Sequence, residues 1–162
     1  MTRNTRDRIR AIVVQFPGLH LREIARQMDI SLALVQYHIP RLVEDGVLEL
    51  EEQDGMQRVY PVKIQQRRGA LAALREPHRL HLCLVLLDAG PQRHGDLAQA
   101  TGLSKSTVSF HLKRLEKARL IERDGPAYRL VDPEATRRLI AEHKPTPDVI
   151  DKFAKMWGDL YG

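Results

Sequence analysis

The sequence predicts a mainly α chain with small β-wings, built as one unit in two tandem copies and followed by C-terminal helices. Three observations carry this. The chain matches itself when shifted by 73 residues, each copy runs helix, helix, tight turn, helix, hairpin, and basic charge gathers in and around the second copy. Under the shift, Glu23-Ile24-Ala25 falls on Asp96-Leu97-Ala98, Ser31 on Ser104 and Val35 on Val108. Tyr37-His38-Ile39 falls on Phe110-His111-Leu112, Leu42 on Leu115, and Val47-Leu48-Glu49 on Leu120-Ile121-Glu122. Two copies suit paired domains, because a solenoid needs more repeats to bury a core.

Each element follows from local pattern. The first helix is apolar at helical spacing, with Ile9, Ile12, Val13 and Phe16 in copy one and Leu80, Leu84 and Leu87 in copy two. Pro17-Gly18 and Gly90-Pro91 end these helices. A short second helix is expected over 21–28 and 95–100. The third begins at a serine cap, Ser31 or Ser104, and points Val35, Ile39, Leu42 or Val108, Leu112, Leu115 inward. Hairpins are expected from strands at 47–52 and 58–62, and at 120–123 and 127–131, the latter pair joined by Asp124-Gly125. This is the winged helix-turn-helix order. Its bihelical turn has further marks: a small residue in helix two (Ala25, Ala98), a positive-φ position four residues on (Asp29, Gly102), and a β-branched anchor in helix three (Val35, Val108).

The organisation expected is a first winged helix domain over 1–64, a helical linker over 65–76, a second domain over 77–131 and C-terminal helices over 132–162. Asp132-Pro133-Glu134 opens a helix that Lys144-Pro145-Thr146-Pro147 breaks. Beyond it, Val149, Ile150, Phe153, Met156, Trp157, Leu160 and Tyr161 form an apolar stripe. A homodimer through this stripe is expected. The rival is a monomer whose two copies imitate a dimer.

The second copy resembles the ArsR-type (arsenical-resistance repressor) winged helix. The resemblance lies in Ala73-Leu74-Arg75-Glu76-Pro77-His78-Arg79-Leu80, Asp96-Leu97-Ala98 and the run from Leu103 to Glu116, and it extends from about residue 71 to 131. Residues 8–62 are similar to the same superfamily less closely, and the tandem layout is similar to small archaeal two-domain regulators. The resemblance implies sequence-directed binding of double-stranded DNA and transcriptional control. Metal sensing does not carry over: Arg93-His94-Gly95-Asp96 has no cysteine, and Glu134, Glu142 and His143 lack the spacing of the family's other site.

Charge agrees with a polyanion partner. Residues 1–62 hold 8 Lys and Arg against 9 Asp and Glu, residues 63–131 hold 13 against 6, and residues 132–162 hold 5 against 6. The middle segment is thus strongly basic between near-neutral flanks. In copy two the expected DNA contacts are Ser104, Lys105, Ser106, Thr107, Ser109, Phe110, Lys113 and Arg114 on the third helix, with Arg123 on the wing. In copy one they are Ser31, Gln36, Tyr37, Arg41 and Arg58, while Arg67 and Arg68 in the linker are expected to bridge phosphates. Glu49, Glu51, Glu52 and Asp54 on its wing oppose phosphate, so a protein interface competes with DNA there. Pro40 is expected to kink its third helix. Copy two is therefore expected to supply most of the affinity.

Other classes recede. Apolar residues make up 43% of 162, enough for folded cores, and no apolar run approaches the roughly 18 residues of a membrane span. Residues 1–6 lack the pattern of a secretory signal. The single cysteine, Cys83, excludes an intramolecular disulfide and is read as a core residue. His78 and His81 find no clear further ligands, so no metal and no cofactor is expected. No nucleophile–base pair or phosphate-binding glycine loop suggests an enzyme. The function expected is a cytoplasmic, nucleoid-associated transcriptional regulator. The alternatives are an architectural DNA protein of little sequence preference and a protein-interaction module.

Overall fold

The computed structural model describes residues 4–154. The chain divides into two compact units, 1–72 and 73–162. Unit 1 runs α1 (Thr5–Gln15), β1 (Leu19–His20), α2 (Leu21–Met28), α3 (Leu32–Glu44), β2 (Leu48–Gln53) and β3 (Met56–Pro61). The helix α4 (Arg68–Leu74) carries the chain across the boundary. Unit 2 runs α5 (Pro77–Ala89), β4 (Gln92–Arg93), α6 (His94–Thr101), α7 (Lys105–Lys117), β5 (Ile121–Asp124), β6 (Ala127–Leu130), α8 (Pro133–Glu142) and α9 (Pro147–Lys152). The repeat is therefore structural, and both copies have the winged helix-turn-helix order.

The helix starts are chemically explicit. Asn4 Oδ1 accepts from the Asp7 amide at 2.8 Å, Ser31 Oγ from Leu34 at 3.1 Å, Ser104 Oγ from Thr107 at 3.2 Å and Asp132 Oδ1 from Ala135 at 3.0 Å. Each satisfies an orphan first-turn donor and contributes about 1 kcal/mol. The bihelical turns behave as their sequence marks require. Asp29 and Gly102 both cap the second helix in the left-handed region, at φ 53° and 72°. Helix α3 continues through Pro40 to Glu44.

The core of unit 1 gathers Ile9, Val13, Leu19, Ile24, Val35, Ile39, Leu42, Leu48 and Val59, all essentially buried. Unit 2 buries Leu80, Leu84, Leu97, Val108, Leu112, Leu115 and Ile121 at the corresponding elements. Burial of one such side chain is worth roughly 1.5–3 kcal/mol, so the apolar stripes of α3 and α7 fix which faces of these helices remain outside.

Each wing is a three-stranded antiparallel sheet, ordered β1-β3-β2 and β4-β6-β5. The short strands β1 and β4 go beyond the expected hairpins, and they make β3 and β6 central strands. Wing one turns at Asp54-Gly55, with φ 54° and 78°, and closes on the pair Gln53–Met56. Wing two turns one residue later than expected, at Gly125-Pro126, because Asp124 still pairs with Ala127. Proline cannot donate to a ladder, and Gly125 supplies the positive φ of 60° that starts the turn.

Helix α9 closes at Lys152, and the Phe153 amide caps it. Val149 is buried, and the Phe153 ring lies 4.6 Å from that of His81, so this part of the stripe packs on its own unit. Met156, Trp157, Leu160 and Tyr161 lie outside the described residues. Cys83 is fully buried in α5, and burial pushes its thiol up to about 12.

Candidate nucleic-acid interface

Helix α7 separates into two arcs. At 100° per residue, Val108, His111, Leu112 and Leu115 fill the buried side. Lys105, Ser106, Ser109, Phe110 and Lys113 are exposed on the other, with Thr107 and Arg114 at its margins. The serines are already at work within the fold. Ser104 Oγ caps the helix and lies 2.8 Å from Thr107 Oγ1 and 3.2 Å from Ser106 Oγ. Ser109 Oγ lies 2.8 Å from Nε2 of His94, the first residue of α6. This contact ties the two helices of the bihelical motif, and nothing in the sequence singled out His94 for it. Lys105 and Lys113 extend from the face as cations, and exposed Arg123 sits on β5 with its guanidinium 5.0 Å from the Tyr128 ring. Arg129 pairs with Glu122 across the wing.

His111 is the buried polar member of α7. Its Nδ1 lies 3.7 Å from Glu76 Oε2, beyond hydrogen-bonding distance, and its ring stands 5.6 Å from that of His78. Desolvation holds its pKa below the ordinary histidine value despite the nearby Glu76 carboxylate. Its matching residue in unit 1, His38, is half-buried.

Unit 1 presents a different face. Ser31, Gln36 and Tyr37 are exposed on α3, beside Ala33 and Pro40. Arg41 bends back on its own helix, donating to the Tyr37 carbonyl and lying 3.6 Å over the Tyr37 ring.

Two sequence expectations are corrected here. Arg58 is not an outward contact: it is 3% exposed, and its Nη1 donates to the Gly18 carbonyl at 2.8 Å. The cause is β1, which pairs His20 with Arg58 and covers that edge of β3. Gly18 fits there because its φ is +90° and a Cβ would stand 3.3 Å from the Tyr60 ring. Arg68 is not an open phosphate bridge either. Its side chain is 10% exposed, 2.8 Å from Glu49 Oε2 and 3.2 Å from Glu51 Oε2. It also donates to the Ile64 carbonyl and lies 4.8 Å over the Tyr60 ring. Two of the wing carboxylates that were to repel phosphate are thus already paired, whereas Glu52 and Asp54 stay exposed near the wing tip. Arg67 is exposed, with a left-handed φ of 63°.

Comparison with known proteins agrees with this architecture. A family described as an N-terminal HTH domain matches residues 3–71, and the arsR family of bacterial regulatory proteins matches residues 76–123. An uncharacterized HTH-type transcriptional regulator of Methanocaldococcus jannaschii is 25% identical over 129 residues. The match takes in 79% of this chain and 32% of that protein, so the chain spans about a third of its relative's length. Among solved structures, the mRNA-binding domain of elongation factor SelB from E. coli, in complex with SECIS RNA, is 13% identical with a TM-score of 0.31, covering 78% of this chain and 97% of that one. None of the described helices is long and apolar enough to cross a membrane. Residues 3–71 and 76–123 thus match two helix-turn-helix family models in tandem, the second that of the arsR family.

Proposed function

From two helix-turn-helix domains in tandem, we propose a sequence-specific regulator of transcription that reads double-stranded DNA mainly through α7 and the wing of unit 2. The observation that carries this is the exposed arc of α7. Lys105 and Lys113 flank Ser106, Ser109 and Phe110 on one solvent face, and Arg123 stands on the adjoining wing strand. Such a face combines cations for phosphate with short polar and apolar groups for base edges, the two classes of contact a recognition helix makes in a major groove. Lys105, Lys113 and Arg123 serve the backbone, and Ser106, Ser109 and Phe110 meet base edges. Thr107 and Arg114 flank the same surface, while Ser104 orients the helix by capping it.

Unit 1 assists. Gln36, Tyr37 and Arg41 offer fewer charges, and Ser31 caps α3 as Ser104 caps α7. Arg67 is its remaining open linker cation among the residues named for phosphate. Homodimerisation through the C-terminal apolar stripe belongs to the same reading, and a monomeric mass in light scattering at micromolar concentration rejects it.

The test is fluorescence anisotropy with a duplex from the protein's own upstream region and a scrambled duplex, across a salt series, in wild type and Lys105→Glu/Lys113→Glu. A preference of about 10³-fold, abolished in the variant, supports the regulator. Steep salt dependence without preference supports architectural binding instead. Absence of binding at low salt overturns the DNA reading. Equal loss of affinity from Arg41→Ala and Lys113→Ala rejects the ranking of unit 2 over unit 1.

A further inference from the structure

One constellation recurs in both units. On α3, the exposed Tyr37 ring meets the His38 ring edge-on at 5.1 Å, and the Arg41 guanidinium lies 3.6 Å over its face. On α7, shifted by 73 residues, the exposed Phe110 ring meets the His111 ring edge-on at 5.1 Å, and the Arg114 guanidinium lies 4.6 Å over its face. Both aromatics are about half exposed, at 53% and 52%. Neither ring contributes to a core, so the fold alone does not call for an aromatic here. The arrangement nevertheless costs free energy: a large apolar surface stays in water, held in one orientation by an arginine one turn on and a histidine beside it.

The geometry points to Phe110 and Tyr37 as thymine readers, one in each unit, with the C5-methyl group of thymine as their ligand. This rests on the DNA-binding reading above and narrows it. Within a duplex the base faces are stacked on one another, so a helix in the major groove meets only base edges. Those edges are donors and acceptors except at thymine, which carries the one apolar group, its methyl. A ring pressed on a polar edge strips water from it without replacing the hydrogen bond, which is unfavourable. A ring pressed on the methyl gains apolar contact. The surroundings of Phe110 favour this partner over a protein: its helical neighbours one turn away are Ser106, Thr107, Lys113 and Arg114, a polar and basic rim rather than an apolar patch. The guanidinium over each ring fixes the ring before binding, so little rotamer freedom is lost on contact.

The experiment separates the ring's role from DNA binding itself. A site of about 20 base pairs is selected by the full chain from a randomised duplex pool, and each thymine in it is replaced in turn by deoxyuridine, which removes only the methyl group. Wild type is expected to lose about fourfold in affinity at one or more thymines, the worth of one buried methyl. Phe110→Ala is expected to bind the selected site more weakly and to be indifferent to deoxyuridine at one set of these positions. Tyr37→Ala is expected to be indifferent at a different set. Circular dichroism and thermal melts of both variants should match wild type, since both rings are surface groups. Sensitivity to deoxyuridine that survives unchanged in Phe110→Ala, or that is absent in wild type, overturns the proposal while leaving a DNA-binding protein. A Tyr37→Ala scan identical to wild type overturns its two-unit form. Failure of wild type to enrich any sequence overturns the function proposed above.

Discussion

Arg58 gives the sharpest test of how unit 1 is built. Its guanidinium is 3% exposed and donates to the Gly18 carbonyl at 2.8 Å, while the Gly18 amide donates to Val59 at 2.8 Å. Arg58→Ala removes a hydrogen bond made by a charged donor, worth about 1.5–3 kcal/mol, and leaves the carbonyl of Gly18 without that donor. It also empties the space of a buried aliphatic stem, though relief of the buried charge offsets part of the loss. A net destabilisation of about 2–4 kcal/mol is expected. For a unit of 72 residues each kcal/mol moves the melting temperature by roughly 4–8 °C, so the shift is easily measured. Arg58→Lys discriminates further: a lysine serves phosphate as a point charge, but its strongly hydrated ammonium replaces the buried guanidinium poorly. It should therefore destabilise the fold by a smaller but clear amount. The assay is urea denaturation followed by far-ultraviolet circular dichroism, paired with DNA affinity against salt. The salt slope should equal that of wild type, whereas loss of a phosphate contact lowers it by about 1. Stability within about 0.5 kcal/mol of wild type in Arg58→Ala, together with a shallower salt slope, refutes the buried assignment.

Four further outcomes are expected. Arg68→Ala should lower stability by about 1–2 kcal/mol, discounted for the 39% and 41% exposure of its carboxylate partners, without altering the salt slope; a reduced slope would return Arg68 to the DNA surface. Asp29→Gly should raise stability by about 0.5–1 kcal/mol by relieving a left-handed residue, whereas Gly102→Ala should lower it by about 1 kcal/mol, both read from urea midpoints. Cys83, fully buried and with its thiol pushed up to about 12, should resist Ellman's reagent in the native chain and yield one thiol per chain in urea. His81 and His111 are both held below the ordinary value of 6.5, chiefly by desolvation, so below that pH the unfolded chain takes up protons first and stability falls as pH falls. His111→Gln should shrink that fall between pH 7.5 and pH 5, and an unchanged dependence would remove His111 as a cause.

Much of the architecture was legible because it rests on periodic or stereochemical signals. Ser31 and Ser104 announce helix starts, Val35 and Val108 anchor stripes of helical period, and Asp29 and Gly102 stand where a bihelical turn needs positive φ. The burial of Arg58 was not legible for a physical reason. Whether an arginine on a hairpin faces water depends on what lies beside its strand, and β1 is a strand of two residues, too short to carry an alternating pattern. Once Leu19–His20 pairs with Val59 and Arg58, β3 becomes central and its last four residues are buried. The pairing of Arg68 was hidden for a different reason. Its partners Glu49 and Glu51 lie 19 and 17 residues away, a separation at which no sequence rule links charges. The contact of Ser109 with His94 is similarly non-local. The residues of the α7 face were legible as types, while the occupation of their hydroxyls within the fold was not.

The two copies differ most in where their cations go. Through α3 and the start of β2 they align without a gap, but the second wing is four residues shorter: Leu48 pairs with Pro61, whereas Ile121 pairs with Leu130. In register, Arg58 opposite His20 corresponds to Ala127 opposite Arg93. The cation has changed strands, from a buried place on the central strand in unit 1 to an exposed place on the short outer strand in unit 2. Arg68 likewise spends its charge on carboxylates of the first wing. Unit 1 thus uses Arg58 and Arg68 inside the fold, while unit 2 ties its shorter wing through Arg129 and Glu122 and leaves Arg93, Lys105, Lys113 and Arg123 toward solvent. The asymmetry in net charge between the copies is set by residue number, 8 Lys and Arg against 9 Asp and Glu over 1–62 and 13 against 6 over 63–131, and strand register decides where two of these cations lie, Arg58 buried and Arg93 exposed.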